Sequence, residues 1–130
     1  MKLNSNKVTV QKSAEELCDY LTDVKNFKAI MPENITKFEL LNDKAFLFAL
    51  KGMPDIALEI KDVQKPKKVV LGAKSDKFPF TLTADIDEVT ENTSTVELLF
   101  DGEFNAMMAM MIKGPLSKFI ETLATNLEKI

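Results

Sequence analysis

The sequence predicts an α+β fold: a seven-stranded antiparallel sheet covered by one long C-terminal helix, with two short helices after the first strand. Three observations carry this. Six short alternating stretches separated by turn residues lie between Asn34 and Phe104. Their apolar residues fall on one parity, so the sheet has one greasy and one wet face. The last 26 residues, Asn105 to Ile130, form the only long helical pattern available to cover the greasy face.

Taken in order, Lys2 to Gln11 alternates weakly through Leu3, Val8 and Val10 and forms strand one. Ser13-Ala14-Glu15-Glu16 is a capping box, a serine N-cap with glutamate three residues on. The helix after it puts Ala14, Leu17, Cys18 and Leu21 on one face. Asp23 caps a second short helix with Val24, Phe27, Ile30 and Met31 inward, stopped by Pro32. The strands then run Asn34–Leu41, Ala45–Gly52, Asp55–Val63, Lys68–Ser75, Phe78–Thr90 and Thr93–Phe104. Asn42-Asp43, Met53-Pro54, Lys65-Pro66-Lys67, Asp76-Lys77 and Glu91-Asn92 connect them. The inward set is Phe46, Phe48 and Leu50; Ile56, Leu58 and Ile60; Phe78, Phe80, Leu82, Ala84 and Ile86; then Val96, Leu98, Phe100 and Phe104. Asp55, Glu59, Lys61, Asp85, Asp87, Glu97, Asp101 and Glu103 face water. Ala45, Leu47, Ala49 and Ala57 break this rule. They form either a dimer contact or a strand covered on both sides.

The closing helix has two unlike halves. Leu116, Phe119, Ile120, Leu123, Ala124, Leu127 and Ile130 make a single apolar stripe. Ala106 to Ile112 is apolar all round, with Met107, Met108, Met110 and Met111 within it. Gly114 and Pro115 divide the halves. Proline inside a helix costs about 3 kcal/mol, so either the helix proper starts at Pro115 or one long helix is kinked there. The long helix is adopted, with Asn105 as its N-cap.

The chain is read as one domain over residues 1–130. All 17 of its cations are lysine, and histidine is absent. These absences remove bidentate guanidinium clamps, serine-type triads and most zinc sites. No metal site and no cofactor are expected. A net charge of −3 argues against nucleic acid. The N-terminal stretch MKLNSNKVTV has no apolar signal core, and no segment is long enough for stable membrane insertion. One cysteine excludes an internal disulfide. The expected location is cytoplasmic.

The opener as it stands here is Val8-Thr9-Val10-Gln11-Lys12-Ser13-Ala14-Glu15-Glu16-Leu17, then Tyr20-Leu21-Thr22-Asp23, Asn26-Phe27 and Ile30-Met31-Pro32. With the closing amphipathic helix, it resembles the START-like (SRPBCC) superfamily of lipid-transfer proteins, polyketide cyclases and pollen-allergen-like proteins. The resemblance covers the whole chain and implies the helix-grip fold, a sheet curved around the long helix with a cavity between. Many members place tryptophan in the two short helices; this chain has none, and no subfamily is identified.

On that basis the chain is expected to bind a small hydrophobic or amphipathic molecule without converting it. Met107, Met108, Met111, Phe46, Phe48, Phe80, Phe100 and Met31 are the expected lining. Methionine suits adaptable apolar surfaces, although plain core filling accounts for the same pattern. A polyketide cyclase/dehydrase-like enzyme is the first alternative, and it needs inward titratable groups that the parity does not supply. An interaction module with a filled core is the second, working through its outer face, where a homodimer contact is one option, or through the Lys65, Lys67 and Lys68 turn. Glu33 and Asn34 read as a polar turn, Tyr20 as partly buried and Cys18 as an inert small hydrophobe.

Overall fold

A computed structural model describes residues 1–53, 55–74 and 79–130. Its strands are β1 (Lys2–Asn4), β2 (Val8–Val10), β3 (Ile35–Asn42), β4 (Ala45–Leu50), β5 (Ile56–Gln64), β6 (Lys68–Ala73), β7 (Phe80–Thr90) and β8 (Thr93–Gly102). Its helices are α1 (Ala14–Thr22), α2 (Phe27–Ile30) and α3 (Ala106–Leu127), with a 3-10 turn at Val24–Asn26. Pro54 and the Ser75–Phe78 stretch, which include the Asp76-Lys77 turn and the inward Phe78, lie outside the described residues.

The strands form one antiparallel sheet in the order β1-β8-β7-β6-β5-β4-β3, with β2 also on β8. The two short helices carry the chain from β2 at one edge to β3 at the other. The sheet has eight strands where seven were expected, because strand one is split. Ser5 is the cause. It is buried, its N–H donates to the Leu98 carbonyl at 2.8 Å, and its Oγ accepts from the Leu98 N–H at 2.9 Å. A side-chain oxygen thus stands where the ladder would put a carbonyl, and pairing restarts at Val8.

Alternation sets the core as the parity implies. Phe46, Phe48, Leu50, Leu58, Leu82, Ala84, Ile86, Val96, Leu98 and Phe100 are buried, while Ile56, Ile60, Phe80 and Phe104 are half-buried. The apolar outer-face residues are largely covered within the chain. Lys37 lies opposite Ala49 in the ladder, and its ammonium crosses β4 to Asp55 at 3.2 Å. That pair closes over Ala49, which is buried, as is Ala45; Leu47 and Ala57 are partly covered.

The capping box at α1 is complete: Glu16 N–H donates to Ser13 Oγ, and Ser13 N–H donates to the Glu16 carboxylate. Lys65 reaches Asp19 at 2.8 Å and Glu15 at 3.4 Å, tying the β5–β6 turn to α1.

One helix runs through Pro115, and Asn105 Oδ1 accepts from the Met108 N–H at 2.8 Å as its cap. Proline has no N–H, so the Met111 carbonyl loses its helical donor. Leu116, Phe119, Ile120, Leu123, Ala124 and Leu127 bury the C-terminal half against the sheet and the short helices. Among the described residues no helix is long and apolar enough to cross a membrane.

Candidate functional site

The two halves of α3 meet the sheet differently. Beneath the C-terminal half, the space between Leu21, Phe27, Leu82, Leu98, Leu123 and Leu127 shrinks to about 10 Å³, a packed core. Beneath the N-terminal half a cleft of about 220 Å³ stays open. Its floor is Phe80, Phe100 and Phe104, with ring centroids 5.2 Å apart for the first pair and 6.2 Å for the second. One wall is Met108, Met111 and Ile112 of α3; the facing wall is Gly52, Met53 and Ile56. Ala73 of β6 also lines it.

Two glycines shape this space. Gly52 has φ +82°, the left-handed region that a side chain disfavours, and lets the β4–β5 connection turn along the cleft. Gly102 sits opposite Phe80 in the ladder. A Cβ built there would lie 2.7 Å from the Phe104 ring and 2.9 Å from Phe80 Cβ. The missing side chain at Gly102 is what allows those aromatic groups to close over the strand end.

Of the expected lining, Met108, Met111, Phe80 and Phe100 stand on this cleft. Phe46 and Phe48 stand elsewhere, in a chain of rings stacked at both ends and tilted between Phe46 and Phe48. Phe27–Phe46 is 5.0 Å, Phe46–Phe48 6.0 Å and Phe48–Phe119 4.9 Å, which pins the helices to β4. Met107 is 75 % exposed and lines no wall of the cleft. Met31 belongs to a second, more polar cleft of about 610 Å³ with Glu33, Asn34, Lys118, Thr122 and Asn126. Sequence reasoning missed Lys51, Gly52, Met53 and Ile112 as lining. The Gly-Met pair after β4 is the available signal; the sequence reading puts Gly52 at the end of a strand and Met53 in the connection that follows.

The polar groups at the apolar cleft are Lys51 and Asp55, both exposed. Asp55 is held by Lys37. The three floor rings carry no carboxylate, and the one carboxylate that lines the cleft, Asp55, stands at its exposed rim. Cys18 lies away from it under α1, and burial pushes its thiol up, with Asp19 adding and Lys65 opposing. Burial also raises the Tyr20 hydroxyl, which donates to the Asn26 carbonyl at 3.4 Å. Among the described residues no group of three His, Cys, Asp or Glu side chains could hold a metal ion.

Solved structures share this architecture. A START superfamily protein from Mycobacterium smegmatis matches with a TM-score of 0.72 and 15% identity, over 98% of this chain and 94% of its own. The chain has the START-like helix-grip fold. Norcoclaurine synthase from Thalictrum flavum, solved with a transition-state analogue, matches at 0.72 and 9% identity over 99% and 94% of the two chains. A Thermus thermophilus protein matches at 0.73 and 12% identity over 99% and 95%. No protein-family model matches the chain, and no curated protein matches it in sequence. At these identities the START-like likeness is one of fold, and the subfamily stays unassigned.

Proposed function

We propose that this chain binds a small amphipathic molecule, its apolar part in the cleft between α3 and Phe80, Phe100 and Phe104, and does no chemistry on it. The observation that carries this is an apolar floor left uncovered beside a core that is otherwise filled. Small-molecule sites usually enclose about 300–1,000 Å³. A cleft of about 220 Å³ therefore suits a short chain or single ring, with the rest of the ligand outside. Lys51 at the rim favours an anionic end there, in keeping with a medium-chain carboxylate.

The fold supports this reading only in general terms, since one fold hosts binders and enzymes alike. Norcoclaurine synthase has also been solved with dopamine and hydroxybenzaldehyde. An enzyme built on the present cleft would need a titrating group at its floor, and the floor residues are aromatic.

Titration with an apolar environment-sensitive dye, followed by displacement with decanoate, tests the proposal. Micromolar binding, about −8 kcal/mol, is expected for the parent. Ala73→Phe places a ring in the cleft and should abolish binding while the melting temperature stays within a few degrees. Equal dye binding by both proteins would remove the cleft from consideration.

A further inference from the structure

β3 forms one edge of the sheet, paired with β4 and with no strand on its other side among the described residues. An edge strand presents unpaired N–H and C=O groups that can template another chain. Register shifts at Ile35/Lys37 and at Leu40/Asn42 leave Lys37 to Leu40 as its regular stretch. Leu40 is 53 % and Leu41 42 % exposed, large aliphatic groups with nothing over them.

We propose that a second copy of this chain takes this edge, β3 running antiparallel to β3 about a two-fold axis through Phe38. The charges select that arrangement. Side chains opposite one another in an antiparallel pair share a face, so self-pairing must set residues of like parity together. Lys37 and Glu39 lie on the outer face, opposite Ala49 and Leu47; Phe38 and Leu40 lie on the inner face, opposite Phe48 and Phe46. Centring the pair on Lys37 sets it against the partner's Lys37. Centring on Glu39 sets it against the partner's Glu39. Like charges directly opposite destabilise a sheet. Centring on Phe38 sets Lys37 against the partner's Glu39 twice over, once on each side of the axis, as an isologous contact requires.

The local structure is prepared for that register. Phe38 is held by stacking on Phe46 at 5.4 Å. Lys37 is already on the outer face, paired with Asp55 across β4 at 3.2 Å, and its ammonium turns from Asp55 to the partner's Glu39 in this register. Glu39 is exposed and forms no ion pair among the described residues. Pairing would also continue the inner apolar face past Leu40. The regular window is short, so the contact is small and the association depends on concentration.

Sedimentation velocity of the full chain from micromolar to millimolar concentration tests this. The parent should pass from monomer to dimer as concentration rises. Glu39→Lys puts two lysines opposite each other and should stay monomeric throughout, with an unchanged melting temperature. Lys37→Glu should also stay monomeric alone. Mixed in equal amounts, the two variants should form a heterodimer, because every lysine of one then faces a glutamate of the other. A parent that stays monomeric, a Glu39→Lys variant that dimerises like the parent, or a mixture that fails to associate would each overturn the proposal.

Discussion

Single residues fall into those whose role is local in sequence and those whose role depends on distant partners. Ser13 is of the first kind. Its partner is three residues away, so the capping box was legible, and Ser13→Ala should cost about 1 kcal/mol in urea denaturation. Ser5 is of the second kind. Its role requires Leu98, and nothing near Ser5 in sequence announces it. Gly102 is similar, because its value lies in the Phe104 and Phe80 groups that crowd it. Gly102→Ala must move one of them, and we expect a loss of about 1–3 kcal/mol through overpacking, read from the denaturation midpoint. Phe46 and Phe48 show the matching error in the other direction. Parity placed them inward correctly, but parity does not say whether an inward ring meets a cavity or another ring.

Among the elements, α3 is the one with two characters, and the sequence displayed both. The stripe from Leu116 to Leu127 is buried, and the all-apolar methionine run is not. Leu123→Ala should therefore cost about 2–5 kcal/mol through lost burial and a residual cavity. Met110→Ala, at a side chain 84 % exposed, should fall within about 0.5 kcal/mol of the parent. Denaturation of the two variants under one condition checks the contrast. The short helix α1 makes a separate prediction through its link to the β5–β6 turn. Burial raises the Cys18 thiol and the Tyr20 hydroxyl, and the hydrogen bond that Lys65 donates to Asp19 raises the Lys65 ammonium. All three groups are thus held more readily in their protonated forms when folded. The stability they contribute is fully present below the ordinary thiol range of ~8.5 and is lost as pH rises through the raised values. Urea midpoints measured from pH 7 to 11 (roughly the span of these groups) should hold steady and then fall. A midpoint that rose across the alkaline range would contradict the assignment of these shifts.

For the molecule as a whole, the order of strands and helices was readable because each element carried its own periodicity and its own breaker. The split of strand one and the wall of the cleft at Gly52 and Met53 were not, since both arise where distant segments meet. The central claim is that the open end of α3, and not the larger polar cleft beside Met31, takes the apolar part of a ligand. The seven methionines provide a direct test. In the protein labelled at its methionine methyl groups, Met53, Met108 and Met111 line the apolar cleft, Met31 lines the polar one, and Met1 lines neither. Titration with decanoate followed by methyl NMR should shift Met53, Met108 and Met111 together along one saturable curve, leaving Met1 and Met31 in place. Saturable shifts confined to Met31, or no saturable shift at any methionine, would contradict the account.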